Sequence, residues 1–226
     1  MKRDGNGSAS RDAPIGIFGG TFDPVHRGHI QVALDASEAL ELDDFRLVPA
    51  GDPPHRDGTH APVANRVDML RLALRGYTGL QIDTREVDRP GRSYMVDTLE
   101  SLREAHPDSP LMLVLGQDAA NGLDRWHEWQ RLPQLAHLVV MTRPGERPMY
   151  GGQLGAVLNH RETSEIDRLK AATSGLLLHL EVSPVDISST EIRRRIAAGD
   201  PVVTLLPPGV LSYIEAHGLY GAGDSA

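Results

Sequence analysis

The chain has 226 residues, 40% of them hydrophobic and 24% charged, with a net charge of −8 and no cysteine. That is length enough for one α/β domain with a substantial core, and the missing cysteines exclude a disulfide framework, a thiolate nucleophile and a thiolate metal ligand. The acidic balance argues against non-specific attachment to nucleic acid, and no apolar run approaches the roughly 18 residues of a membrane span.

Residues 1–13 are polar and lack the apolar centre of a signal peptide, so a disordered tail and a cytoplasmic location are expected. The first strand is expected at Ile15–Phe18. A glycine-rich turn follows, and then an amphipathic helix over about 28–42 with Ile30, Leu34 and Leu40 near one face. Further strands are expected at Phe45–Val48, Leu80–Ile82, Leu111–Leu115, His137–Met141 and Leu176–Leu180. Between them lie helices at 63–75, with Val63, Val67, Leu70 and Leu74 in register, and at 94–105. The Pro- and Gly-rich stretch 143–175 reads as a surface excursion with a weak helical pattern. Ile187–Ile196 reads as a helix start, a last helix falls near 208–217, and 221–226 form a second tail. Short apolar strands alternating with longer helices point to a mostly parallel sheet covered on both faces. Ligands of such sheets bind beyond the carboxyl ends of the strands, near a switch point.

The segment Gly19-Gly-Thr-Phe-Asp-Pro-Val-His-Arg-Gly-His29 falls at that place. Gly19 and Gly20 allow a tight turn and a close approach of phosphate to the backbone, and the helix start offers N–H groups and a positive dipole end. His26 and His29 lie three residues apart, where a phosphate can accept their hydrogen bonds or hold them protonated. The rival readings are a surface histidine pair or half of a zinc site, but no further ligand stands at a recognisable spacing. A second segment, Ile187-Ser-Ser-Thr-Glu-Ile-Arg193, has the pattern of a capping box between Ser188 and Glu191. Its hydroxyls and Arg193 near a helix N-terminus also make a second anion site.

Gly-x-Phe-x-Pro-x-His-x-Gly-His with a distant Ile-Ser-x-Thr-x-Ile-Arg resembles the HIGH-motif nucleotidyltransferase superfamily. From about Pro14 to Tyr220 the chain is similar, within it, to the bacterial nicotinate-nucleotide adenylyltransferases. The segments that carry this are Val48–Arg56, Arg92–Leu99, Leu115–Asp118, Trp126–Trp129, His137–Pro144 and Tyr213–Tyr220. The resemblance implies a Rossmann-like, doubly wound α/β fold over 14–220, with helices on both faces and a small helical portion at 187–218. It implies adenylyl transfer from ATP to nicotinate mononucleotide, without a covalent intermediate.

By the same resemblance ATP is held by Gly19, Gly20, Thr21, Phe22, His26, His29, Ser188, Thr190 and Arg193, with His26, His29 and Arg193 carrying catalysis. Gly116 and Asp118 approach the ribose, although Asp118 also suits a helix N-cap. The mononucleotide side takes His55, Arg56, Tyr94, Met95, Trp126, His127 and Arg143. Trp126 stacks on the pyridine, whereas Trp129 reads as core. Met95 stands where a threonine is expected and His127 where a tyrosine is frequent, which leaves the choice between nicotinate and nicotinamide open. Mg²⁺ is expected to arrive with the ATP phosphates, and no protein-held metal is expected. Neither a monomer nor a homo-oligomer is favoured. The alternatives are another transferase of the superfamily, taking nicotinamide mononucleotide, a pantetheine phosphate or a cytidylyl group, or a nucleotide sensor or metal-binding module without catalysis.

Overall fold

The structure, a computed structural model, describes residues 13–54, 59–145, 148, 150–182 and 187–221. Among the described residues six strands form one sheet: β1 (Ile15–Gly20), β2 (Asp44–Pro49), β3 (Leu80–Ile82), β4 (Leu111–Gly116), β5 (His137–Thr142) and β6 (Leu177–Glu181). Their order is β3-β2-β1-β4-β5-β6 and every pairing is parallel. The helices are α1 (Arg27–Ala39), α2 (Val63–Ala73), α3 (Arg85–Asp88), α4 (Met95–Ala105), α5 (Gln117–Asn121), α6 (Leu132–Leu135), α7 (Gly152–Leu158), α8 (Ile166–Ala171), α9 (Ser189–Ala197) and α10 (Val210–Ala216). Among the described residues no helix is long and apolar enough to cross a membrane.

The central strands β1 and β4 are apolar throughout because both faces of the sheet are covered. Leu111, Leu113 and Leu115 of β4 face one core, together with Val96, Leu99 and Leu102 of α4. Met112 and Val114 face the other, with Ile30 and Ala33 of α1 and Met69 and Leu70 of α2. α8, α9 and α10 join the α1 side through Leu169, Ile192 and Ile214, while α6 and α7 join the α4 side through Leu132 and Leu154. This is the parallel sheet covered on both faces that the alternating pattern predicts, and the doubly wound, Rossmann-like arrangement that the resemblance implies. The stretch 143–175 is more than a surface excursion: Tyr150, Leu154, Leu158 and Leu169 are buried in the two cores.

The position of the site follows from strand register. β1 and β4 pair from Ile15↔Leu111 to Ile17↔Leu113 and no further, although both strands run on by three residues. Beyond Ile17 they part, and the chain leaves β1 toward β2 on one side and β4 toward β5 on the other. The crevice opens at the carboxyl ends of the strands, at the switch in strand order. Gly19 and Gly20 form one lip and Gly116 the other.

Candidate active site

The turn after β1 is held open by close packing. A Cβ on Gly20 would lie 2.9 Å from the Phe22 ring, and one on Gly19 would lie 2.4 Å from the terminal methyl of Met95. Phe22 itself has φ 49°, a left-handed conformation that a non-glycine residue adopts only when its surroundings enforce it. Its ring is buried and meets His29 edge to face at 5.0 Å. Phe22 is therefore a wedge beneath the histidines rather than a surface for ligand contact.

His26 precedes the first turn of α1 and His29 lies within it, with the two imidazoles stacked at 3.6 Å. The backbone N–H of His26 donates to Nδ1 of His29 at 3.2 Å. A neutral ring that accepts at Nδ1 carries its proton on Nε2, so His29 presents a donor. Burial lowers the pKa of His26 to about 4; burial and the neighbouring His26 hold His29 well below the ordinary histidine value. Both rings are neutral donors at pH 7 until an anion arrives to favour the charged form.

The second segment reaches the same place. Ser188 is the N-cap of α9, its Oγ accepting from the N–H of Glu191 at 3.2 Å. Only this half of the expected capping box is formed, because the Glu191 carboxylate turns to Arg194 and Arg195 instead. Ser189 donates to the carbonyl of Pro24 at 3.0 Å. Arg193 donates through Nη1 to the carbonyl of Asp23 at 2.6 Å and through Nη2 to Thr190 Oγ1 at 3.3 Å. The two segments, some 160 residues apart in sequence, are thus one unit around the β1–α1 turn.

Three residues that the sequence reading did not single out hold this unit. Asp23 is buried and accepts from Tyr220 Oη at 2.7 Å, from the N–H of His60 at 2.7 Å and from that of Ala61 at 3.1 Å. Tyr220 stays protonated, its pKa raised by burial and by the Asp23 carboxylate. Arg66 is completely buried, and its guanidinium donates to the carbonyls of Thr21 (2.7 Å), Ala50 (2.7 Å) and Gly51 (3.2 Å). It ties the turn after β1 to the loop after β2. A signal for Arg66 existed, since it stands on the apolar stripe of α2 beside Val63, Val67 and Leu70.

Beside the glycine turn lies an open cavity, lined among others by Thr21, Pro54, Tyr94, Met95, Trp126 and His127. Tyr94 and His127 pack ring on ring at 4.3 Å. Tyr94 is the N-cap of α4 and makes no side-chain cap, so the first-turn N–H groups of that helix face outward from Met95. Trp129 is buried in the core, as expected. Gly116 has open space where a Cβ would stand, which suits a ligand passing over β4. It is also the N-cap of α5, so Asp118 is inside that helix and exposed rather than capping it. Arg143 is exposed just past the end of β5, across β4 from β1, and does not line the cavity that holds Trp126. His55 and Arg56 lie outside the described residues, as do 1–12 and 222–226 of the expected tails.

Comparison with known proteins agrees with this geometry. Residues 17–195 match the cytidylyltransferase-like family model. A Marinobacter nauticus protein named probable nicotinate-nucleotide adenylyltransferase is 47% identical over 207 residues, covering 91% of this chain and 96% of its own. A Methylococcus capsulatus protein of the same name is 44% identical, covering 91% and 99%. In fold, the chain is similar to the Plasmodium falciparum nicotinic acid mononucleotide adenylyltransferase complexed with NaAD. That likeness has a TM-score of 0.71 at 16% identity, over 94% of this chain and all of that one. The HIGH-type turn, the distant Ser-Thr-Arg helix start and the extent of these matches together place the chain in the nicotinate-nucleotide adenylyltransferase family.

Proposed function

We propose that this protein transfers the adenylyl group of ATP to nicotinate mononucleotide, giving nicotinate adenine dinucleotide and pyrophosphate. The observation that carries the reading is the meeting of two helix starts, α1 with His26 and His29 and α9 with Ser188, Thr190 and Arg193, beside an aromatic cavity. The first set suits a triphosphate; the second suits a flat ring carrying a carboxylate.

In the reaction an oxygen of the mononucleotide 5′-phosphate attacks the α-phosphorus in line. A new P–O bond forms, the bond to the β-phosphate bridging oxygen breaks, and its electrons leave with pyrophosphate. The nucleophile is already an anion and needs no general base. Rate then comes from alignment and from donors placed where charge builds up. His29 Nε2–H and His26 serve the α-phosphate and the bridging oxygen, and the Arg193 face not used by Asp23 serves the outgoing phosphates. Gly19, Gly20 and Thr21 let the chain of phosphates pass close to the backbone, and Gly116 and Asp118 take the ribose.

The donors gathered here are N–H and hydroxyl groups, which fit phosphate oxygens and are not the carboxylate ligands that hold Mg²⁺ on a protein. We therefore assign Mg²⁺ to the ATP phosphates, where it screens their charge. On the acceptor side Trp126 stacks on the pyridine, with His127 packed on Tyr94 behind it. The uncapped N–H groups of α4, from Met95 onward, take the ring carboxylate. A backbone cradle of this kind explains why methionine is tolerated at position 95. Its side chain is occupied against Gly19.

Mixing ATP with nicotinate mononucleotide should release pyrophosphate, and nicotinamide mononucleotide should give a much lower kcat/KM. No pyrophosphate with either acceptor would overturn the assignment. Equal kcat/KM for both would overturn the carboxylate cradle alone.

A further inference from the structure

Adenylyl transfer leaves unused a buried acid in the wall of the aromatic cavity. Glu86 of α3 is 4% exposed and lines the cavity with Tyr94 and Trp126. Its Oε1 accepts from Thr98 Oγ1 at 2.6 Å, and the nearby Ser93 hydroxyl also favours the ionised carboxylate. Ser93 Oγ already accepts the N–H groups of Gly51 at 2.8 Å and Asp52 at 3.2 Å. Its single proton is thereby left free to turn toward Glu86. The two hydroxyls favour the anion of this carboxylate.

Among the described residues no ion pair neutralises it. The cation acting on it is Arg89, which is shared with Asp97 at 3.8 Å and the Tyr94 carbonyl at 3.5 Å; Asp83 is the neighbouring acid. Burial raises the Glu86 pKa, against the pull of the two hydroxyls and Arg89. A buried charge without an ion pair is costly, and a cationic ligand in the cavity would supply the missing counter-charge.

The ring of an oxidised pyridine mononucleotide carries a quaternary nitrogen, and the ring of its reduced form does not. We propose that Glu86 is a specificity-determining residue that selects the cationic pyridinium ring over the neutral dihydropyridine ring. The inference rests on the mononucleotide reading and deepens it. The nicotinate ring system is a zwitterion, and different groups of the cavity answer its two charges: the N–H groups at the start of α4 the carboxylate, Glu86 the ring nitrogen. The first distinguishes acid from amide. The second distinguishes oxidised from reduced.

The test measures dissociation constants of nicotinate mononucleotide and its 1,4-dihydro form for the full chain and for Glu86→Gln and Glu86→Asp, with the KM for ATP alongside. The unaltered chain should bind the oxidised form more tightly. Glu86→Gln, which keeps an acceptor for Thr98 but loses the charge, should shrink that preference by about tenfold, as expected for one partly screened charge pair. The KM for ATP should stay unchanged, and Glu86→Asp should keep the preference even where both forms bind more weakly. Equal weakening of both forms by Glu86→Gln would mean that the residue only braces the 51–52 loop, and the proposal would fall. It would also fall if the unaltered chain showed no preference between the two rings, a measurement that requires no variant to fold. Failure to bind either form would instead remove the mononucleotide reading itself.

Discussion

The end of the crevice proposed for the phosphates and the end proposed for the acceptor are held by different means. At the phosphate end the groups are locked by short polar contacts: His26 to His29, Arg193 to Asp23, Ser189 to Pro24, and Tyr220 to Asp23. The donors stand ready before any ligand arrives, which electrostatic catalysis requires. At the acceptor end the walls are rings from separate segments, Tyr94, Trp126 and His127, around an open space with few polar anchors. On that reading, one end acts on charge as it develops, and the other selects a ring by its shape and its fixed charges. Substitutions at the first should therefore strike kcat, and those at the second KM for one substrate.

The largest expected effect follows from His29→Ala. Removing one preorganised donor should lower kcat by roughly 10²–10³-fold while the affinity for nicotinate mononucleotide changes little. Steady-state kinetics with both substrates varied would show it, and near-normal kcat would end the division of labour drawn here.

Acid should expose the same locked end through stability. His26 titrates at about 4 in the folded chain and near the ordinary 6.5 when unfolded. Above about pH 6.5 it is neutral in both states and costs nothing. As pH falls from 6.5 toward 4, the unfolded chain takes up the proton first, and stability drops by about 3 kcal/mol across that window. His29 acts in the same direction. Urea unfolding at pH 7 and pH 5 should show the loss in the free protein, and His26→Asn should flatten it. A bound triphosphate should reverse the trend, because it favours the protonated rings. A free protein equally stable at both pH values would contradict neutral, buried histidines.

At the other end, Trp126→Ala should raise the KM for nicotinate mononucleotide by about tenfold through lost stacking and leave the KM for ATP in place. Equal losses for both substrates would show that Trp126 supports the crevice as a whole.

The two ends also differ in how far they could be read from sequence. Strands β1, β4 and β5 are legible because strands buried on both faces leave nearly unbroken apolar runs, whereas β2, β3 and β6 carry Arg46, Gln81 and His179 among their apolar residues; β6 is displaced by one residue from its expected place. The pieces between Gln117 and Leu135 are not legible, since α5 and α6 are too short to show a period. His26, His29, Ser188 and Arg193 sit in compact motifs that imply their own chemistry. Tyr220 meets Asp23 across 197 residues and leaves no local trace. Glu86 stands in Arg85-Glu-Val-Asp88, which has the composition of a solvated turn. Its burial is decided by Thr98, Ser93 and the 51–52 loop folding over it.

The smallest effect tests whether the lock reaches the C-terminal end of the fold. Tyr220→Phe deletes one hydroxyl donor and leaves Asp23 with the N–H groups of His60 and Ala61. A buried carboxylate that keeps two of three donors should lose about 1 kcal/mol of stability. The turn that carries Asp23 also carries the carbonyl gripped by Arg193. If the turn depends on Tyr220 for its position, kcat should fall a few-fold while the KM for nicotinate mononucleotide holds, since nothing at the acceptor end has moved. A Tyr220→Phe variant with lower stability but unchanged kcat would show that α9, through Ser189 and Arg193, holds the phosphate end by itself.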